Sequence, residues 1–494
     1  MRTTQLTARY RVLLVLLFSW ATLPFCAHAQ LRNANWLYVN NNFISFASGT
    51  AIASTAPVGG VNSNASLSDP EGNPLVYAFG NTVVNAAFET VSDCPTLNMS
   101  AEGQGCLLMP VPGDAHGVAF FHIAYGNGMT ASPLSFGRIN MDLDNGLGGF
   151  VGGMTLLTDS ATWKLTAVAH TNGQDYWVLT QLFGTDAIAA YLLDGTGVSA
   201  VPVVSHTGDP MTYPLNGTPY EYLPGSLVAT SDGRRLAMAG MLPQNVEVFN
   251  LEHARIDLLD FDPATGIATH AASIPPPAGL TIDGIEFSPD GSKLYIAITG
   301  NGNVSNFCAI HQYDLSVWDE ASIIASRTEV LLDTAINFYW GPELQLDLAP
   351  DGRIWFHNNY DHWLGVIDSP DEAGPDCAPI RDYLLLPNEG GYDLPNLCKR
   401  YHDSELTHTG IPASEEAGTL MTWPNPTQGV LNINAPEPGC TSQLYDATGR
   451  QVLSIAHGQR RTAIVDVAPL PAGPYLVRCT DARGNGRACT VVKE

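Results

Sequence analysis

The sequence has little positive charge. Lys and Arg together number 22 against 48 Asp and Glu, so the formal net charge is −26 over 494 residues. Nucleic acids and anionic membrane surfaces are bound mainly through basic side chains. The composition therefore argues against both partners. We interpret the acidic excess as a solubilising surface, with binding of cations or of a cationic partner as the alternative.

Several catalytic and metal-binding patterns are missing from the sequence. It contains no G-x-S-x-G, no H-E-x-x-H and no C-x-x-C, and no glycine-rich phosphate loop precedes a helical pattern. The 13 histidines are scattered. No catalytic, cofactor-binding or metal-binding residue is therefore predicted, and a non-enzymatic protein is favoured while an enzyme stays open.

Long apolar runs are also missing. After residue 30 no run reaches 18 residues, so no transmembrane segment is expected in the mature chain. The apolar stretch at 12–18 follows three arginines, is too short to span a bilayer, and is followed by Ala27-His28-Ala29. This order is typical of a secretory signal over residues 1–29, with cleavage after Ala29 leaving Gln30 first. A lipoprotein at Cys26 is disfavoured because Phe25 precedes it.

Eight cysteines remain after that cleavage, an even number in an exported chain, which suggests disulfides. Sequence neighbours are the favoured pairs, although the connectivity stays open: Cys94 with Cys106, Cys377 with Cys398, and Cys479 with Cys489. A zinc site is the competing interpretation.

Glycine and proline are plentiful, at 47 and 34 residues, while only 14% of the chain is charged and 45% is hydrophobic. This composition predicts an all-β protein of short strands and tight turns with a sizeable core. We expect four segments: a signal peptide at 1–29, a β-propeller-like domain at 30–400, a linker at 401–419 and a C-terminal domain at 420–494.

A turn pattern recurs about every sixty residues in the large domain. Asp232-Gly, Asp290-Gly and Asp351-Gly each lie between apolar stretches, 58 and 61 residues apart. Earlier turns of similar form occur at 170–178, 112–122 and 69–77. An Asp-Gly turn between apolar runs indicates a β-hairpin, and a repeated sheet of this size buries its faces by packing radially. Six units are countable, and strands at 36–39 and 43–46 either close the ring or complete a seventh. A β-sandwich array is the alternative.

The motif Ser288-Pro-Asp-Gly-Ser-Lys-Leu-Tyr295 resembles the turn signature of exported propellers with WD-like or YVTN-like repeats. Segments 68–77, 80–85 and 164–177 also resemble a group of exported bacterial propeller proteins. The resemblance implies a six- or seven-bladed β-propeller over roughly residues 31–400, followed by a small C-terminal Ig-like β-sandwich.

The C-terminal segment carries three motifs in a fixed order. They are Pro424-Asn425-Pro426 with Gly429, then Tyr445-Asp446 with Gly449-Arg450, then Leu470-Pro471 with Gly473, Tyr475 and Arg478. This pattern closely resembles the type A C-terminal sorting domain of the type IX secretion system. The resemblance implies Sec export to the periplasm, passage through the type IX machinery, and a final location outside the cell or on its surface.

Four local clusters contain residue types found in binding or catalytic sites. Asp142-Leu-Asp-Asn-Gly146 begins like a calcium loop but lacks the glutamate at its twelfth place, so a turn is favoured and calcium is the alternative. Residues 358–363 are interpreted as a loop, with a position lining the propeller mouth as the alternative. The aromatic run 338–340 is interpreted as core, with stacking on a sugar ring as the alternative. Residues 401–405 lie in the linker, where adjacent side chains cannot converge on a substrate.

Three functions remain open from the sequence. The favoured one is a secreted or surface protein whose body binds a glycan or a protein, without a cofactor. The alternatives are a metal-dependent, lactonase-like hydrolase using the propeller channel, and a structural component of the surface or of the motility machinery. Fold alone does not decide among them.

Overall fold

The computed structural model describes the chain from residue 31 to residue 493 with internal gaps. The described residues are 31–59, 63–98, 103–125, 131–210, 213–215, 218–220, 225–240, 255–275, 280–300, 307–334, 344–358, 361–391, 393–399, 420–423, 427, 429–435, 439–446, 450–457, 462–480 and 486–493. The proposed signal segment, with Ala27, Ala29 and Gln30, lies outside them, as does the linker.

The first part of the body consists of antiparallel meanders. The first sheet contains β1 (Asn35–Tyr38), β2 (Asn42–Ser45) and β3 (Ile52–Thr55), and the second contains β4 (Asn64–Ser68), β5 (Pro74–Phe79) and β6 (Thr82–Asn85). A nine-stranded sheet follows, made of β7 (Cys106–Pro110), β8 (Gly117–Ile123), β9 (Ser132–Asn140), β10 (Gly149–Phe150), β11 (Thr155–Ala169), β12 (Tyr176–Leu182), β13 (Ala187–Asp194), β14 (Gly197–Val198) and β15 (Val203–His206).

The long strand β11 divides this sheet into two halves. Thr155–Ala161 pairs with β9, whereas Ala161–Ala169 pairs with β12, and the register shifts between Ala161 and Leu165. Such a shift bends a strand and increases its twist. One strand therefore serves as the last of one four-stranded unit and the first of the next.

Three four-stranded sheets complete the body after the hairpin β16 (Tyr213–Leu215) and β17 (Thr218–Tyr220). They are β18 (Gly225–Ala229), β19 (Arg235–Gly240), β20 (Ile256–Asp262) and β21 (Ile267–Ile274); β22 (Leu280–Phe287), β23 (Lys293–Gly300), β24 (Cys308–Asp314) and β25 (Thr328–Asp333); and β26 (Leu344–Leu348), β27 (Ile354–Asn358), β28 (Trp363–Ile367) and β29 (Pro379–Leu385). The described helices are α1 (Glu320–Ala325) and two short 3₁₀ turns, Asp144–Gly146 and Gly374–Cys377.

All six predicted turns join the first and second strands of their units. At the Asp-Gly turns, glycine has a φ of +68° at Gly233, +69° at Gly291 and +75° at Gly352, a region that residues with a Cβ avoid. The aspartate closes the turn: Asp290 Oδ1 accepts hydrogen bonds from Ser288 Oγ and Ser292 N, both at 2.8 Å. The predicted hairpins are therefore confirmed.

Both faces of each inner sheet are buried, which explains the almost continuous apolar strands. Along β23, Leu294 and Ile296 pack towards the preceding sheet, and Tyr295 and Ala297 pack towards the following one. Alternate residues of a strand point to opposite faces, so one strand contributes to two cores.

Shared hydrophobic clusters link each unit of the body to the next. The last sheet packs on the first, since Trp355 of β27 lies in one cluster with Trp36 of β1. Successive units are joined through these pairs: Leu37 and Tyr77, Val83 and Phe120, Phe121 and Val178, Leu179 and Leu227, Leu258 and Ile296, Ile310 and Phe356. The packing thus returns to the sheet from which it started, and the predicted all-β class is confirmed.

The C-terminal domain contains two sheets around one core. They are β30 (Met421–Trp423), β31 (Val430–Asn434) and β34 (Thr462–Asp466), facing β32 (Thr441–Tyr445), β33 (Gln451–Ala456), β35 (Gly473–Thr480) and β36 (Gly486–Lys493). Leu431, Ile433 and Val465 of the first sheet pack on Leu444 and Val477 of the second.

Candidate functional site

After β29 the chain does not leave the body. Residues 386–399, which we call the axial strap, run along the first strands of the units, and none of its described residues belongs to a strand. Tyr38 of β1 contacts Gly391, and Asn33 Nδ2 donates to Cys398 O at 3.1 Å. The strap therefore runs antiparallel to β1 on the inner side of the first sheet.

Two adjacent glycines of the strap, Gly390 and Gly391, lie where there is no room for side chains. A Cβ on Gly390 would overlap the His357 ring, and one on Gly391 would overlap the Val39 side chain. The Tyr38 hydroxyl donates to Gly391 O at 3.0 Å and accepts from Gly391 N at 3.1 Å. His357 contacts the same carbonyl at 3.0 Å, and burial lowers the pKa of His357 to about 4, so its ring is neutral at pH 7.

The middle of the strap bonds to inner strands of three units. Asn396 N donates to Asn64 O at 2.8 Å, and its side-chain Nδ2 donates to Cys106 O and Leu165 O at 3.0 Å each. Asp393 is held in turn, because its Oδ2 accepts from Gly103 N at 2.9 Å. A single asparagine amide thus satisfies carbonyls of two different strands, β7 and β11.

The end of the strap is a buried ion cluster. Lys399 Nζ lies 2.6 Å from Glu286 Oε2 of β22 and 2.7 Å from Asp347 Oδ1 of β26. All three residues are buried. Burial raises the pKa of Asp347 to about 7, with Lys399 opposing the rise and the Glu286 charge adding to it. The two carboxylates raise the pKa of Lys399, so its ammonium stays protonated.

The cavity that the described residues form beside the ion cluster is small. The cavity lined by Gln104, Ser226, Gln345, Asn396 and the ion cluster has a volume of about 20 Å³. That is room for about one water molecule and no larger ligand. The Gln104 side chain is fixed in the wall of this cavity, since its Nε2 donates to Leu227 O and its Oε1 accepts from Leu227 N.

Sequence reasoning missed the strap and its ion cluster, although one signal was present. Glu286 and Asp347 each interrupt an apolar strand four residues before the turn aspartates Asp290 and Asp351. Two carboxylates at the same place in consecutive repeats are expected to face one axis. Nothing in the sequence indicated that Lys399 would meet them.

The clusters weighed from the sequence lie elsewhere. Asp142–Gly146 forms a tight turn between β9 and β10, in which Asp142 pairs with His116 Nδ1 at 3.0 Å. The 358–363 segment connects β27 to β28, and its described carbonyls Asp361 O and His362 O accept from the strap residues Gly390 and Leu386. Residues 338–340 and 401–405 lie outside the described residues. Within the described ranges, no three His, Cys, Asp or Glu side chains are grouped to hold a metal ion.

The predicted disulfides are not present in the structure. No bond joins any of the three proposed pairs, Cys94 with Cys106, Cys377 with Cys398, or Cys479 with Cys489. The last pair shows why: Cys489 lies opposite Val477 on the neighbouring strand, and Cys479 lies opposite Arg487. The two thiols are therefore diagonal neighbours, a separation larger than a disulfide favours.

The C-terminal motif residues surround one strand pair. Tyr445 ends β32, and Asp446 closes the following turn by accepting from Arg450 N at 3.0 Å. Tyr475 OH donates to Pro471 O at 2.7 Å, which ties β35 to the segment before it. Leu470 precedes this segment and packs against the domain core. Gly473 begins β35 at a φ of +145°. Gly429 O accepts a hydrogen bond from Val467 N. Pro424, Asn425, Pro426 and Gly449 lie outside the described residues.

An open groove of about 530 Å³ lies on the outer face of this sheet. It is lined by four motif residues, Tyr445, Asp446, Tyr475 and Arg478, together with Pro474, Leu476 and Thr490. Leu476 is 44% exposed, so the groove combines an apolar floor with a carboxylate and a guanidinium. Residues of the second and third sequence motifs therefore meet on one surface.

No helix within the described part of the chain is long and apolar enough to cross a membrane. No curated protein matches the chain significantly. Solved structures match it with low similarity. PorZ, described as a surface component of the type IX secretion system of Porphyromonas gingivalis, is 11% identical, with a TM-score of 0.32 over 92% of this chain and 68% of that one.

Two further structures match at the same level. Hydrazine synthase of Kuenenia stuttgartiensis is 14% identical, with a TM-score of 0.37 over 64% of this chain and 86% of that one. An ancestral GH74 enzyme is 10% identical, with a TM-score of 0.38 over 92% and 63%. Ligands and activities are not transferred at such similarity.

The C-terminal domain does have a family. The model described as "Secretion system C-terminal sorting domain" matches residues 421–493, which include the three motifs from Pro424 to Arg478. The chain therefore carries a type IX secretion C-terminal sorting domain and is exported to the cell surface or secreted.

Proposed function

We propose that residues 31–399 form a seven-bladed β-propeller closed by both ends of the body. Four observations support it: the split of β11, the six equivalent turns, the packing of the last sheet on the first, and the course of the strap. β1 begins beside Ser68 and Gly72, because Asn35 Nδ2 donates to both. β1 therefore runs antiparallel to β4, the innermost strand of the next blade. The strap, which is antiparallel to β1, takes the innermost place of the blade that contains β1, β2 and β3.

We infer from the filled axis that the body is a binding module for a macromolecule, a glycan or a protein. The cavity that the described residues form beside the axial ion cluster, about 20 Å³, is too small for a ligand larger than water. A partner is then recognised on the loops at the ends of the ring. The connections after the second strands, such as 124–131 and 241–255, are longer than the tight Asp-Gly turns at the opposite end, and longer loops more often carry binding residues.

The same observation weighs against the metal-dependent hydrolase. The carboxylates of neighbouring inner strands, Glu286 and Asp347, both bond to the Lys399 ammonium, which stands where a metal ion would have to bind. These two carboxylates, among the described residues, are thereby engaged by the protein itself.

For the C-terminal domain, we propose that the outer-face groove is where the type IX machinery holds the chain. The motif residues Tyr445, Asp446, Tyr475 and Arg478 line it together with partly exposed Leu476. Residues 1–29 and 401–419 then serve as the signal peptide and as the linker in which the tail is separated from the body.

The experiment that tests the binding proposal uses the exported protein purified from its producing cells. Calorimetric titration is done with cell-surface polysaccharide, with surface protein fractions, and with mono- and disaccharides. Saturable binding to a polymer or protein, without binding to the small sugars, is expected. Metal-dependent turnover of lactones or esters by the same preparation would instead establish the hydrolase.

A further inference from the structure

A second cavity lies between two neighbouring sheets of the body, where β21 of one sheet faces β24 of the next. It has a volume of about 340 Å³, and we call it the rim cavity. Pockets that hold small organic molecules begin at about 300 Å³. The described residues that line it come from the end of β21, from β24 and from the segment around α1: Ile274, Pro275, Tyr313, Ile324, Ala325 and Arg327. The rim cavity is therefore large enough for a small ligand, unlike the cavity beside the axial ion cluster.

The wall that α1 forms is attached to both sheets. At the start of the helix, Glu320 Oε2 accepts a hydrogen bond from Ser273 N of β21 at 2.9 Å. After its end, Ser326 Oγ accepts from Asp314 N of β24 at 2.9 Å. These bonds fix the wall without any ligand, and binding pockets are usually preformed in this way.

Most of the lining is apolar. Ile274 and Tyr313 are buried and form the floor, whereas Ile324 of α1 is 38% exposed. Its neighbour Ile323 is buried in the core between the two sheets. The helix thus places one isoleucine in the core and the next beside the cavity. A ligand with an apolar body would cover this exposed side chain and remove its surface from water.

Arg327 gives the rim cavity a positive charge. Its guanidinium interacts with the Tyr313 hydroxyl. Among the described residues Arg327 forms no ion pair, although the chain carries 48 acidic against 22 basic residues, and Glu329 lies 3.9 Å from His311 Nε2 instead. A guanidinium binds a carboxylate through two parallel hydrogen bonds. The charge of Arg327 is therefore complementary to an anion from outside the chain.

The groups beside Arg327 limit the ligand to a single negative charge. His311 lies two residues before Tyr313 on β24, so both side chains point to the same face of the sheet. Burial lowers the pKa of His311 to about 4, with the Arg327 charge adding to this, and the ring is neutral at pH 7. Within the described structure its buried Nδ1 has no hydrogen-bond partner, a state that a bound water or ligand group commonly relieves. One cation with neutral neighbours fits a monoanion better than a phosphate.

We propose that the rim cavity binds a small monocarboxylate with an apolar body, such as an aromatic or alicyclic acid. The Arg327 guanidinium pairs with the carboxylate, and the body of the ligand packs on Ile274 and Ile324. This site goes beyond the binding proposed for the ends of the ring and rests on the cavity and its charge alone.

The test compares matched ligands on the full exported chain. Binding of benzoate, benzamide and glucuronate is measured from the broadening of each ligand's NMR signals during titration at pH 7. For benzoate a Kd on the order of 1 mM is expected from its size. Benzamide keeps the ring without the charge, and glucuronate keeps the charge on a polar body, so each should bind about tenfold or more weakly. Absence of benzoate binding, or equal binding of either of the other two, would overturn the proposal.

Two variants place the ligand in the rim cavity. Arg327→Gln removes the charge, and Ala325→Trp fills the cavity while keeping Arg327; each should weaken benzoate binding about tenfold or more. Arg234→Gln is the matched control, because it removes an exposed arginine from a turn elsewhere in the body, and it should bind benzoate as the wild type does.

All three substituted side chains are exposed, so the variants are expected to fold, and their thermal unfolding verifies this. Ala325→Leu takes the place of Ala325→Trp if the larger side chain prevents folding. Unchanged binding by Arg327→Gln or by the filled variant, or an equal loss in Arg234→Gln, would show that benzoate binds elsewhere and refute the site. None of these results depends on a macromolecule at the ends of the ring, so the site can fail separately from the proposed function.

Discussion

The pH dependence of stability should identify Asp347 as the titrating member of the axial cluster. Its pKa is raised on folding from 3.8 to about 7, mainly by burial. A raised pKa means that the folded state holds the proton more tightly than the unfolded state. The contribution to stability is therefore fully present below pH 3.8 and is lost as pH rises towards 7. A difference of about 3 pH units corresponds to about 4 kcal/mol.

Asp347→Asn removes this titration while keeping a side-chain oxygen that accepts from Lys399 Nζ. We expect the free energy of unfolding of the variant, relative to the wild type, to rise by about 4 kcal/mol between pH 4 and pH 8. The buried histidines whose pKa is lowered to about 4, His122, His311 and His357, act in the opposite direction but are common to both proteins. Their effect cancels in the difference.

The measurement is urea-induced unfolding of the body at half-unit pH steps, with the midpoint and slope fitted at each pH. Asn396→Ala is the matched control, because it weakens the strap without removing a titratable group. Its cost of about 1–3 kcal/mol from the lost hydrogen bonds should be nearly the same at every pH. Parallel curves for Asp347→Asn and the wild type would refute the assignment of the proton to Asp347.

Three further variants test other parts of the structure. Gly291 has a φ of +69°, and a Cβ there would lie about 3.1 Å from Thr230, so Gly291→Ala should lower the free energy of unfolding by about 1 kcal/mol or more. Gly113→Ala is the control, because Gly113 has a similar φ of +72° but open space around it, and its cost should be smaller. Thermal unfolding of the two variants measures the difference. Leu476→Asp in the outer-face groove should reduce the amount of protein outside the cell, whereas Ile464→Asp, similarly exposed on the other sheet, should not. Immunoblots of medium and periplasm measure both variants. Equal loss of export in the two would show that the groove is not the surface that the machinery recognises. Ala29→Asp should block maturation, and N-terminal sequencing of the wild type should begin at Gln30.

The sequence by itself determined the local features of this protein. The Asp-Gly pairs predicted hairpins because few residues other than glycine accept a positive φ at low cost, and the interactions that close these turns are local. The repeat of about sixty residues predicted sheets that bury their faces against each other, and the C-terminal motifs identified the sorting domain. These signals depend on residues close in the chain.

Only the tertiary structure decided what occupies the axis. Lys399 meets Glu286 and Asp347 across 113 and 52 residues of sequence, and Asn396 meets Leu165 across 231. The cysteine pairs predicted from sequence proximity failed for the same reason, since strand register, and not spacing along the chain, sets the distance between Cys479 and Cys489. Contacts made through the packing of distant strands depend on the direction and register of every sheet between them. No local pattern carries that information.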